Sequence, residues 1–308
     1  MTSEGGCAPL FLSGHEEKDS LISGTINLDI ASAQVKTSLL LAALAADGPV
    51  TIIEPSLSRD HTERMLRSMG VEVDSFQSST GPAVRLTPPD PLLLTPLDIF
   101  VPGDFSAAAF LIVAGLITPG SSVTLHGIGL NPTRIGLLTT LQEMGAQIDV
   151  CNEEIVSGEP VGDLSITSKE LNGVTVTGDR VVHMIDEFPV FAVAAAFAQG
   201  ITTVHQAEEL RNKESDRISA MCDSLRGMGV QVEEAKDGFT IHGTGQVPGG
   251  VELDPHGDHR LAMSLAIAGL AAQKPIAIIN SEIIAESFPD FADVLNSLGA
   301  DIILVQNE

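Results

Sequence analysis

The feature that most constrains this sequence is a pattern that recurs four times along it. Each copy has a small-residue apolar helix, a Gly, a short β-branched strand and a loop with charged residues. A second helix ending in Met-Gly or Leu-Gly and a closing strand complete it. The first copy is Ser32 to Ala46, Val50 to Ile53, Ser58-Arg59-Asp60-His61 and Met69-Gly70; the second is Ser106 to Leu116, Val123 to Leu125, Asn131-Pro132-Thr133-Arg134 and Met144-Gly145. The third is Pro189 to Ala198, Thr202 to Val204, a loop into Lys213-Glu214-Ser215-Asp216-Arg217 and Met228-Gly229. The fourth is His259 to Ala271, Ile276 to Ile279, Ser287-Phe288-Pro289 and Leu298-Gly299. The marker glycines at 70, 145, 229 and 299 lie 75, 84 and 70 residues apart. A fixed unit with hairpins of variable length is repeated supersecondary structure.

Each copy reads as βαβαββ. The Gly after the second helix fits a left-handed C-cap, and alternating strands and helices imply parallel pairs joined by right-handed crossovers. The first helix of each copy is apolar nearly all round, so it belongs in a buried position. An α/β fold in which sheets surround central helices accommodates several such helices. Thr87 to Asp104 breaks the rhythm with five prolines and reads as a crossing between domains. Residues 1–97 then form an incomplete first domain with about one repeat, and residues 98–308 a second domain with three.

Composition narrows the function classes. The chain has 308 residues, 16 Lys and Arg against 41 Asp and Glu, and a formal charge of −25. No basic stripe is available for nucleic acid. Small anionic substrates remain open, because a cleft can be locally positive on an acidic protein. Cys7, Cys151 and Cys222 are far apart and form no CxxC pair, which argues against a disulfide framework or zinc site and for a cytoplasmic location. The N-terminus lacks the pattern of a secretory signal. The apolar run from Phe105 to Ile117 is too short to cross a bilayer, so no membrane association is expected.

Five patches place charge just before a helix or in its first turn: Ser32 to Lys36, Ser58 to Glu63, Asp186-Glu187, Leu210 to Arg217 and Asp258-His259-Arg260. Helix N-termini carry unpaired N–H groups and partial positive charge, so several together suit phosphates and carboxylates. Each patch also has a plainer account. Ser32 and Asp186 serve as caps, Lys213 to Arg217 as a solvated face, and Asp258 to Arg260 as an ion-paired helix start. Recurrence of similar loops in several repeats favours the functional account.

The wording of these loops, with Gly103-Asp104, Leu261-Ala262-Met263 and Ser287-Phe288-Pro289, resembles the 5-enolpyruvylshikimate-3-phosphate (EPSP) synthase family. It is similar to the bacterial branch that includes glyphosate-tolerant enzymes. The resemblance runs in order over nearly the whole chain. It implies the enolpyruvyl transferase fold, an inside-out α/β barrel of six βαβαββ units in two domains with the active site in the cleft between them; four of the six are present here. It also implies transfer of the enolpyruvyl group of phosphoenolpyruvate to the 5-hydroxyl of shikimate 3-phosphate, with no metal or organic cofactor. Carried onto this sequence, Asp186 is the base and Glu214 the acid. Ser32, Ala33, Gln34, Arg59, Asp186 and Lys213 contact shikimate 3-phosphate, and Gln34, Arg217 and Arg260 hold phosphoenolpyruvate.

The sequence also departs from the family. Asn212 stands where an aliphatic residue is usual, and Glu286 where some members are basic. The family's early Lys-Ser, its Asn-Ser-Gly-Thr-Thr loop and the Arg that follows are not found. Residues 1 to 30 already match the stretch before the Ser32 helix. The expectation is therefore a chain lacking the N-terminal third, completed by an N-terminal fragment as a split enzyme. The competing readings are a non-catalytic half that assembles without turning over, and an enolpyruvyl transferase with another acceptor.

Overall fold

In a computed structural model of the chain, which describes residues 21–305, the four marker glycines all adopt left-handed backbone. Their φ angles are 89° at Gly70, 94° at Gly145, 90° at Gly229 and 101° at Gly299. This conformation is strained for any residue with a Cβ, and it ends the second helix of every repeat at the same point. Cys7 and the residues before Leu21 lie outside the described residues. The chain divides into two compact units, one ending at Leu97 and the other beginning at Asp98.

The first unit is one full repeat. It runs β1 (Gly24–Asn27), α1 (Ala33–Ala43), β2 (Val50–Ile53), α2 (His61–Ser68), β3 (Glu72–Gln77) and β4 (Pro82–Thr87). The sheet order is β1-β2-β4-β3, with β1 parallel to β2 and the closing hairpin antiparallel. Its core joins Leu40, Ile52, Leu66, Val73, Val84 and Leu86. Helix α1 buries only Lys36, Leu40 and Ala43, and leaves Val35 and Leu41 exposed. The apolar face of α1 is therefore only partly covered, as expected of a lone repeat: among the described residues the unit holds no second apolar helix for α1 to pack on.

The second unit continues with α3 (Phe105–Ile117), β5 (Ser122–Gly129), α4 (Gly136–Glu143), β6 (Gln147–Val156) and β7 (Glu159–Thr167). Next come β8 (Thr175–Val176), α5 (Asp179–His183), α6 (Phe188–Ala196), β9 (Gln199–Val204), a 3-10 turn (Glu208–Asn212), α7 (Arg217–Gly227), β10 (Gln231–Ala235) and β11 (Gly238–Thr244). The last part holds β12 (Glu252–Leu253), α8 (His259–Ala271), β13 (Ala277–Ile278), a 3-10 turn (Ser281–Glu286) and α9 (Phe291–Ser297).

Two of these repeats depart from the expected pattern. The first strand of the second repeat shrinks to a parallel bridge between Gly103 and Ile128, since Pro102 has no N–H to extend a ladder. In the fourth repeat no closing hairpin forms among the described residues, and Ile303 to Val305 are exposed.

Helices α3, α6 and α8 pack on one another inside three sheets, ordered β5-β7-β6, β10-β11-β9-β8 and β12-β13. Every residue of α6 is buried. Each buried large side chain in this core contributes about 1.5–3 kcal/mol. Phe188 meets Phe191 and Phe239 edge-on, with ring centroids 6.0 and 6.4 Å apart. That packing fixes the start of α6, and with it Asp186-Glu187. Cys222 lies in this core, where burial pushes its thiol up to about 12, so it behaves as a small apolar side chain. Among the described residues no helix is long and apolar enough to cross a membrane.

Candidate active site

Helix starts in the second unit place its charged groups. Asp216 caps α7, accepting from Ser219 N at 3.1 Å, so Arg217 becomes the first helical residue. Asp258 caps α8 through one oxygen, which accepts from Arg260 N at 2.9 Å and Leu261 N at 3.3 Å. The same carboxylate, wholly buried, accepts from Arg217 Nε at 2.8 Å, Arg217 Nη2 at 3.3 Å and Ser215 Oγ at 3.1 Å. Burial pushes its pKa up. The Arg217 bonds and charge, with the two backbone N–H groups, outweigh that and hold it below the usual carboxylate value.

Arg217 is 1% exposed. Its Nη2 pairs with Glu214 Oε2 at 2.7 Å. Its Nη1 has no hydrogen-bond partner among the described residues and lies 3.9 Å from Asp186 Oδ1. Arg260 Nη1 donates to the Asp186 carbonyl at 3.4 Å. Asp186, Glu214, Arg217 and Arg260 therefore form one cluster, two carboxyl groups and two guanidiniums. Lys213 turns aside to Glu209 at 3.0 Å, a half-exposed partner four residues back.

Two members of the cluster were given no site role from the sequence. Arg134, on the loop before α4, places Nη1 3.4 Å from Asp186 Oδ2 and donates from Nη2 to Ser106 Oγ. Glu187, read as a helix-start residue, is buried and accepts from Ser106 Oγ. Burial raises its pKa, and Arg134 and Ser106 only partly offset this. A signal for Arg134 was present: it precedes its helix by two residues, as Arg59 does in the first repeat.

In the first unit Ser32 caps α1, its Oγ 3.4 Å from Val35 N, and Ala33 and Gln34 open the helix. Arg59 lies on the loop before α2. Lys36, 1% exposed, ties the two segments together: its Nζ pairs with Glu54 at 2.9 Å and Glu63 at 2.8 Å, and donates to the Ser58 carbonyl at 3.3 Å. The Thr37 and Thr62 hydroxyls meet at 2.6 Å. One buried ammonium thus fixes both the helix start and the Arg59 loop.

Residues 1–295 match the family model for EPSP synthase (3-phosphoshikimate 1-carboxyvinyltransferase). The chain belongs to the EPSP synthase family. The 3-phosphoshikimate 1-carboxyvinyltransferase of Parvibaculum lavamentivorans is 48% identical over 301 residues, covering 97% of this chain and 66% of the relative. That of Caulobacter vibrioides is 49% identical over 302 residues, covering 96% and 67%. The chain thus spans about two thirds of the length of these EPSP synthase relatives. Among solved structures, an EPSP synthase from Acinetobacter baumannii superposes with a TM-score of 0.83 at 42% identity, covering 93% of this chain and 65% of that one. The enolpyruvyl transferase NikO from Streptomyces tendae gives 0.70 at 20% identity, covering 91% and 64%, which extends the likeness of fold.

Proposed function

We propose that this chain carries the acid, the base and the anion clamp of an EPSP synthase. The observation that carries the reading is Arg217. A buried guanidinium with one nitrogen that has no hydrogen-bond partner among the described residues, its facing carboxylate oxygen 3.9 Å away, gains from an anion that completes it. It sits beside two carboxyl groups suited to opposite proton transfers.

In the reaction, Asp186 takes the proton of the 5-hydroxyl of shikimate 3-phosphate as that oxygen attacks C2 of phosphoenolpyruvate. Glu214 protonates C3, making it a methyl group. Glu214 then removes a proton from that methyl group as phosphate leaves C2, which gives the enol ether. Arg217 and Arg260, with Gln34, take the phosphoenolpyruvate anion, since planar guanidiniums suit carboxylate and phosphate. The incoming anion competes with Glu214 for Arg217 and so frees the carboxyl group for proton transfer. To shikimate 3-phosphate we assign Ser32, the Ala33 backbone, Gln34, Arg59, Asp186 and Lys213, on the family resemblance of their motifs. Lys213 must leave Glu209 to serve, and their half-exposed pair is worth little.

We further propose that turnover requires an N-terminal segment with the family's Lys-Ser and Asn-Ser-Gly-Thr-Thr sequences. The family resemblance of the motifs motivates this reading, and Val35 and Leu41 on α1 are exposed. The test measures phosphate release from phosphoenolpyruvate that depends on shikimate 3-phosphate, with and without such a segment from a relative. Turnover by the supplemented protein that is lost in Glu214→Ala is expected. No turnover in either condition would refute the reading.

A further inference from the structure

The Asp186 carboxylate lies between two guanidiniums that hold it very differently. Arg134 is anchored: Nη2 donates to Ser106 Oγ, lies 3.7 Å from Asp104 Oδ1 and 3.8 Å from Glu187 Oε1, and leaves Nη1 3.4 Å from Asp186 Oδ2. Arg217 faces the other oxygen, Oδ1, with Nη1, the nitrogen that has no hydrogen-bond partner among the described residues. Their separation is 3.9 Å, inside ion-pair range but beyond hydrogen-bond range. A small swing of Asp186 would close that gap and fill the clamp with the protein's own carboxylate.

We propose that Arg134 is a positioning residue that holds Asp186 back from Arg217, keeping the clamp open for phosphoenolpyruvate while leaving Oδ1 of the base facing it. Arg134 need not touch the ligand to act this way. It acts through Asp186, and Ser106 acts through Arg134 by fixing Nη2. The inference rests on the reading of Arg217 as the phosphoenolpyruvate clamp.

The test is calorimetric titration of phosphoenolpyruvate into the full chain, with and without shikimate 3-phosphate. Arg134→Gln should weaken phosphoenolpyruvate about tenfold, the loss of one charge-assisted bond to the ligand. Asp186→Asn, whose amide carries no charge to draw it onto Arg217, should abolish that effect. Arg134→Gln/Asp186→Asn should then bind within about twofold of Asp186→Asn alone. Arg134→Lys keeps the charge and should retain most of the affinity, and it serves as the comparison if the Gln variant does not fold. Ser106→Ala should weaken binding in the same direction by less. A loss that persists in the Asp186→Asn background would overturn the proposal, because it means direct contact or general damage. Unchanged affinity in Arg134→Gln would also overturn it. Wild-type protein that binds no phosphoenolpyruvate would refute the clamp reading itself, and the proposal with it.

Discussion

Asp258→Ala should cost the second unit a large part of its stability. The carboxylate it removes is wholly buried and accepts from Arg217 Nε and Nη2, Ser215 Oγ, and the N–H groups of Arg260 and Leu261. Arg217, 1% exposed, would keep Glu214 as its nearest carboxylate at 2.7 Å. Glu214 is 47% exposed, so solvent screens that pair and it cannot replace a buried partner. Removing one member of a buried ion pair costs about 3–5 kcal/mol, and losing a helix cap about 1 kcal/mol more. For a unit of about 200 residues this total lowers the melting temperature by roughly 8–24 °C. Urea denaturation with a thermal melt reads both quantities. Asp258→Asn retains an acceptor for the α8 cap and loses only the charge, so it should fall between the two proteins. A loss below about 1 kcal/mol in Asp258→Ala would mean that Arg217 finds water or another anion without cost. The argument that its unpaired nitrogen marks an anion site would then fail.

Under conditions where the protein turns over, Asp186→Ala and Glu214→Ala should each abolish turnover while circular dichroism shows the fold retained; an unchanged rate in either refutes that residue's role. Arg217→Ala should raise the phosphoenolpyruvate KM by the equivalent of about 1.5–3 kcal/mol, and an effect confined to shikimate 3-phosphate would mean the wrong ligand is assigned. Glu187 has a folded pKa above its unfolded value, so the native state holds the extra proton and stability falls as pH rises from about 4.3. Glu187→Gln should flatten that slope, and parallel stability curves for the two proteins would count against a buried, protonated Glu187. Lys36→Met strands two buried carboxylates and should destabilise the first unit by about 3–5 kcal/mol, seen as faster hydrogen exchange over residues 54–63. Adding Glu54→Gln and Glu63→Gln should recover most of that loss, and failure to recover would show that Lys36 acts through packing.

The periodic part of the fold was readable because its determinants are local. A Gly after each second helix, Asp and Ser at helix starts, and an all-apolar first helix specify their structures within a few residues. Thus α8 spans His259 to Ala271 as the sequence indicates, and the glycine φ angles agree in all four repeats. The failures lie where a segment needs a distant partner. Alanines and leucines on α1 look like those of α6, yet burial depends on how many sibling helices share the unit. The fourth repeat has the composition of a closing strand after Gly299, but a strand also needs a neighbour to pair with.

The same divide separates the residues in the candidate site. Residue types and helix-start positions marked Arg217 and Arg260, because phosphate and carboxylate chemistry has few alternatives on a chain with 16 basic residues, and the family resemblance added Asp186 and Glu214. Which acid holds which guanidinium was not legible. Arg217 and Asp258 are 41 positions apart, and Arg134 and Asp186 are 52. Nor does the sequence separate a cap from a ligand, since one carboxylate can be both: Asp258 caps the start of α8 with one oxygen and orients Arg217 with both. If that coupling holds, the plain account of each patch as a helix cap and the functional one are not rivals. Capping supplies the rigidity that a buried clamp requires, and substitutions at the caps should move stability and phosphoenolpyruvate affinity together.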